Sequence, residues 1–210
     1  NSEGAEAGWG RSALAVVASN GFAAQYQRTG SSLTAVALAG EGTGMERQYD
    51  SHSAVHRGDL EPASLIGRRA GERAVRALGA RKIKSQSVPI IFDRRIAGGM
   101  LMTLASAING QAIARGTSFL KNAMGEPVFA PGIRIIDDPR RRRGLASRPF
   151  DGEGLPAEPL DLVQDGVLQC WLLNLATARQ LGLESNGRAT RSVGASPGVG
   201  TTNLYMEPGQ

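Results

Sequence analysis

Through the first sixty residues, apolar and polar positions follow one another in the manner of strands. Residues 13–18 (ALAVVA) are apolar, Asn20-Gly21 is the signal of a type I′ hairpin, and residues 22–29 (FAAQYQRT) alternate ring or small side chains with polar ones. A turn over residues 30–32 leads into LTAVAL, and the glycine-rich residues 40–44 lead into MERQY. Together these predict a meander of about four antiparallel strands. The period then lengthens to that of a helix. Leu65, Ile66, Ala70, Ala74, Ala77 and Leu78 recur at helical spacing, Pro62 stands in the opening turn and Gly79 at the end. Arg68, Arg69, Glu72, Arg73 and Arg76 fall on the opposite face, the one expected to meet water.

Residues 88–92 (VPIIF) predict a short buried strand, with Pro89 near its start where a missing donor does least harm. Ile96, Met100, Leu101, Leu104 and Ile108 then form the apolar stripe of a core helix, stopped at Asn109-Gly110. Further strands are predicted at 133–136 and 160–163, a turn at Gln164-Asp165-Gly166, a return strand over 167–173, and a short helix over 176–181 closed by Gly182. Residues 185–200, rich in Gly, Ser, Arg and Pro, read as a long loop, mobile or ordered on contact. The order of elements predicts an α+β fold of largely antiparallel sheets, a meander and hairpins, with two main core helices packed on them. Residues 1–84 are expected to form the meander with its helix, and residues 85–210 a strand, helix and hairpin region.

Composition narrows the function classes. The chain of 210 residues is long enough to bury a core, and Cys170 is its single cysteine, so no intrachain disulfide forms. No run of eighteen apolar residues and no secretory leader pattern occurs, which predicts a soluble, cytoplasmic protein without a membrane partner. Neither an initiator methionine nor an obvious terminal element is present, so the chain reads as a piece of a longer protein. Lys and Arg total 24 against 19 Asp and Glu, a net charge of +5 too small and too dispersed to indicate nucleic acid. The one concentrated patch, Arg140 to Arg143, follows Asp137-Asp138-Pro139 and is expected on an exposed turn, either pairing with nearby acids or binding a phosphate or partner.

Candidate chemistry is sparse. His52 and His56 have the i, i+4 spacing of a helical zinc pair, but Ser53 stands where a peptidase needs glutamate, and the segment leaves a strand rather than lying on a helix. They are read as solvent-facing. Cys170, in mid-strand with no histidine near it in sequence, is read as a small apolar residue rather than a nucleophile. Asp137-Asp138 and Asp151 with Glu153 are carboxylates in turn contexts. The residues alone therefore give no catalytic, cofactor-binding or metal site.

A resemblance supplies what the chemistry does not. SNGF (19–22), GMERQY (44–49), PIIF (89–92), AING (107–110), RGTSFL (115–120), GLASRPFDGEG (144–154), DGVL (165–168), WLL (171–173) and ARQLGL (178–183) resemble, in collinear order, the TldD/PmbA family and within it the PmbA (TldE) branch. The resemblance implies a cytosolic protein of a proteolytic, peptide-maturing system. It also implies a heterodimer with a TldD-type catalytic subunit that holds zinc and cleaves unfolded or leader peptides. In that catalytic branch the helical segment equivalent to residues 99–118 bears a His-Glu-x-x-x-His motif. Aligned on Gly110, its positions fall here on Leu101, Met102 and Ser106, and Cys170 does not match that branch's third ligand. The expectation is a catalytically silent partner with no cofactor of its own. The alternatives are a stand-alone metallopeptidase built on His52, His56 and Glu153, or a regulatory module linked to DNA gyrase through Arg140 to Arg143.

Overall fold

The structure is a computed structural model that describes residues 1–209. The chain divides into two compact units, residues 1–14 with 27–90, and residues 15–26 with 91–210. The long strands β1 (Ser2–Val17) and β2 (Ala23–Ala39) are joined by a turn closed by Ala18 N–H to the Phe22 carbonyl, and β3 (Glu46–Ala54) completes a sheet in the order β1-β2-β3. Three strands thus replace the predicted four. The expected break at 30–32 is absent because Ser31 and Ser32 sit in the β2–β3 ladder opposite Ala54 and Ser53. β1 begins at Ser2, eleven residues before the apolar run that signals it, because pairing with β2, not propensity, holds its Gly- and Glu-containing start.

In the first unit, helix α1 (Ala63–Ala77) packs on β3 and buries Ile66, Ala70 and Ala74, spaced four residues apart on one stripe. Complete burial of Ile66 alone stabilises the packing by about 1.5–3 kcal/mol. The sequence placed Arg69 and Arg73 on the water-facing side of α1. Instead both reach over the helix edge to Asp50 on β3, which is 1 % exposed and accepts from Arg69 Nε at 2.5 Å and from Arg73 Nη1. Burial by itself would push the Asp50 carboxyl up, but hydrogen bonds and charge from Arg73 and Arg69 outweigh it and hold the group below the usual carboxylate range.

Residues 80–92 form neither helix nor strand, so the strand expected at 88–92 is absent; Ile90 is 70 % exposed and Ile91 98 %. Apolar β-formers alone do not make a strand: the ladder needs a partner, and Pro89 contributes no donor.

The second unit is built around α2 (Arg94–Ala107), α3 (Gly110–Ala114) and a sheet of order β6-β5-β4-β9, formed by β4 (Ile135–Asp137), β5 (Leu160–Gln164), β6 (Val167–Leu168) and β9 (Leu204–Met206). Helix α4 (Leu175–Leu181) and the two-stranded pair β7 (Ala189–Thr190) and β8 (Gly198–Val199) complete it. The core joins Leu104, Ala105 and Ile108 from the end of α2 to Ile135, Leu162, Val163, Leu168 and Leu172. Only the C-terminal half of α2 is therefore a core helix; Ile96 and Met100 on its first turns are more than half exposed. The turn between β5 and β6 places Asp165 at φ 49° and Gly166 at φ 79°, the left-handed pair a type I′ turn requires. The return strand is two residues rather than seven because the chain swings away from β5 so that Leu172 pairs with Asn109 instead. Phe22 and Tyr26 stand edge-on to Phe150, with centroids 5.2 and 5.4 Å apart. The α+β architecture of antiparallel sheets with packed helices is as expected. No helix among the described residues is long and apolar enough to cross a membrane.

Candidate functional site

The segment from Leu101 to Ser118 is a structural joint. Ile108 ends α2, and Asn109 starts α3 by accepting the Gln111 N–H through its side chain at 2.9 Å while donating to the Val199 carbonyl at 3.1 Å. Gly110 was expected as a helix stop, but its φ is not positive. It is glycine because Leu172 comes so close: its N–H donates to the Leu172 carbonyl at 2.8 Å, and a Cβ would lie 2.7 Å from that oxygen. Ser118 fastens the far end by donating to the Ala107 carbonyl at 2.5 Å.

On this joint Met102 and Ser106 share the exposed face of α2, one turn apart, while Leu101 lies toward the core. Leu101 packs against the core, Met102 is 53 % exposed, and Ser106 donates to the Met102 carbonyl at 2.9 Å. An aliphatic group, a thioether and a hydroxyl already engaged with its own helix are not the donor set of a catalytic zinc, which takes imidazole, carboxylate or thiolate. None of the three side chains can abstract a proton from water near neutral pH.

The other candidates are absorbed by the fold. His52, on β3, accepts the Glu61 N–H at Nδ1 (3.3 Å), and His56 accepts the Gly58 N–H at Nδ1 (3.1 Å) as it starts a single 3-10 turn, so the two do not share the helical face that zinc pairing would need. Glu153 accepts the Leu175 N–H at the start of α4 (2.8 Å), and Asp151 accepts from the amides of Glu153, Leu155 and Ala189. Cys170 is mostly buried, and burial pushes its thiol up to about 11, the opposite of what a nucleophile requires. Among the described residues no three His, Cys, Asp or Glu side chains are grouped to hold a metal ion.

Sequence reasoning missed Arg188, which lies in the stretch read as a loop. It is fully buried, donating from Nε to Asp137 Oδ2 at 2.5 Å and from its other nitrogens to the carbonyls of Asn186, Gly187, Asp137 and Glu158. The second Asp137 oxygen accepts from the Thr202 N–H and hydroxyl. Every donor of the fork is used, which is why this charge is tolerated inside. In the basic turn, Arg140 pairs with Glu158 (2.7 Å) and donates to the Ala157 carbonyl, and Arg141 stacks 4.6 Å above the Tyr205 ring.

The folded chain is similar to known proteins over nearly its whole length. The metalloprotease PmbA of Escherichia coli O157:H7 is 34 % identical over 171 residues, covering 81 % of this chain and 38 % of the relative. A crystal structure of a protein described as a candidate modulator of DNA gyrase from Bacteroides thetaiotaomicron superposes with a TM-score of 0.86 at 28 % identity, covering 98 % of this chain and 44 % of the other. TldE from Thermococcus kodakarensis shares the fold at a TM-score of 0.84 and 21 % identity, with 98 % and 47 % covered. The chain thus spans less than half the length of these relatives. Residues 1–78 match the central domain and residues 85–210 the C-terminal domain of the PmbA/TldA metallopeptidases, and the chain belongs to that family.

Proposed function

We propose that this chain is part of the catalytically silent subunit of a TldD/PmbA-type metallopeptidase, acting in proteolysis and peptide maturation. The observation that carries this reading is the chemistry of α2: Leu101, Met102 and Ser106 stand where the resemblance puts the His, Glu and His of a catalytic relative. A zinc ion does not fit these side chains, and no hydrolytic step is assigned to them. The reaction then belongs to a TldD-type partner in a heterodimer, which supplies the metal and cleaves unfolded or leader peptides. This subunit supplies packed surface around the substrate. A stand-alone site is less well supported, because His52, His56 and Glu153 each already accept a backbone N–H. The gyrase reading is also weaker, since Arg140 and Arg141 are engaged within their own unit.

The test is co-purification of the full-length protein with its TldD-type relative, followed by peptidase assays of each subunit alone and of the mixture. Stoichiometric association with activity only in the mixture, or in the partner, is expected. Activity of this subunit alone, or stoichiometric zinc in it, overturns the reading.

A further inference from the structure

We propose that residues 88–92 are a β-strand of the C-terminal domain whose partner strand belongs to the same full-length polypeptide, in a part that these 210 residues do not include. The same added layer covers the exposed first turns of α2. The inference concerns packing and does not depend on the subunit pairing proposed above.

Two boundaries disagree over this stretch. The family match begins the C-terminal domain at residue 85, whereas packing within the chain leaves residues up to 90 with the first unit. Residues 79–84 fall between the two matched domains and carry Arg81, Lys82 and Lys84, exposed charges that suit a connector. Residues 88–92 are of another kind. Val88, Ile90, Ile91 and Phe92 stand inside the matched domain, yet all four are exposed, and their amides donate to no acceptor among the described residues. Contiguous bare apolar groups on an unpaired backbone mark a strand without its neighbour.

Helix α2 repeats the pattern. Ile96, Met100, Leu104 and Ile108 are spaced four residues apart; Leu104 and Ile108 are buried in the core, while Ile96 and Met100 are more than half exposed. A stripe buried at one end and bare at the other lacks a layer over its first turns. The chain spans 38 % of the Escherichia coli relative and 44 % of the Bacteroides structure, so more than half of each relative's length is available to supply that layer.

Pro89 fixes the side from which the partner joins. Along a strand successive N–H groups point to opposite edges, and proline has none. The edge bearing Pro89 and Ile91 therefore offers one donor, and the edge bearing Val88, Ile90 and Phe92 offers three. The partner strand pairs through the second edge, which leaves residues 88–92 at the margin of the enlarged sheet, where proline is tolerated.

The test is residue-resolved hydrogen exchange of the full-length protein alone, with an unstructured peptide of residues 85–95 as reference. The amides of Ile90 and Phe92 are expected to exchange at least about 100-fold more slowly than in the peptide. I91D is expected to lower the melting temperature of the full-length protein by about 4 °C or more, because the charge enters a covered apolar layer, while K84D on the connector shifts it by less than about 1 °C. Exchange of Ile90 and Phe92 at the peptide's rate, or an I91D variant that melts with the wild type, overturns the proposal. Protection that appears only when the TldD-type relative is added, or that is lost on dilution of the protein, assigns the strand's partner to another chain and overturns it as well.

Discussion

Arg188 and Asp137, fifty-one positions apart in the chain, form an ion pair in which neither side chain touches solvent. Such a pair is worth little relative to well-packed apolar residues, but removing one member strands the other inside. R188M is therefore expected to lower the unfolding free energy by about 3–5 kcal/mol. The double variant R188M/D137L, which removes both charges, is expected to recover much of that loss. Urea denaturation of the wild type, both single variants and the double variant measures the coupling; additive effects would show that the pair does not act as a unit.

The close approach at Gly110 makes a second test. A methyl group there would meet the Leu172 carbonyl oxygen at 2.7 Å, and Leu173 Cδ2 and Thr177 Oγ1 at 2.8 Å. Backbone on one side and a buried capping hydroxyl on the other cannot give way cheaply, so G110A is expected to cost about 1–3 kcal/mol. Gly98, inside α2, has nothing within 4 Å of the same atom, and G98A is expected to stabilise by about 0.4–1 kcal/mol. Opposite signs in thermal melts separate packing from helix propensity; two stabilising substitutions would refute the account of Gly110.

What the sequence makes legible is what a local period can encode. Helix α1 was predicted between Pro62 and Gly79 and runs over Ala63–Ala77, because its stripe of Ile66, Ala70 and Ala74 is written at four-residue spacing. The Asp165-Gly166 turn was equally plain, since its backbone angles require residues of this kind. Residues 88–92 show the limit: a continuous run of apolar side chains specifies a strand only where another strand accepts it. Arg188 shows it more sharply, because a guanidinium amid Gly and Ser reads as solvated until Asp137 and four carbonyls converge on it. At α2 the helical period marks Leu101 as a core position, but no spacing marks Leu101, Met102 and Ser106 as a set, and only resemblance gives that set a functional meaning.

The Asp50 cluster predicts an acid-sensitive contribution to stability. Its folded carboxyl titrates below the usual value of about 4, so its contribution is present above that pH and is lost as pH falls through the folded value. D50N is expected to be less stable than the wild type at pH 7, with the gap narrowing below about pH 4 as the wild-type carboxylate takes up its proton. Urea midpoints for both proteins at pH 7, 5 and 3.5 measure this. A gap that does not change with pH would mean that Arg69 and Arg73 do not lower the Asp50 carboxyl.

Cys170 predicts the opposite behaviour at alkaline pH. Burial pushes its thiol up to about 11, while in the unfolded chain a cysteine titrates near 8.5. Below the unfolded value both forms hold the proton. Between about 8.5 and 11 the unfolded chain has released a proton that the folded chain retains, so stability falls as pH rises through that window. C170A lacks this component, and its denaturation midpoint is expected to fall less steeply over the same range. Because Cys170 is the chain's single cysteine, a thiol reagent that absorbs on cleavage reports on it directly. Slow labelling of the folded protein at pH 8 and rapid labelling in denaturant are expected, and fast labelling of the folded protein would show an activated thiol after all.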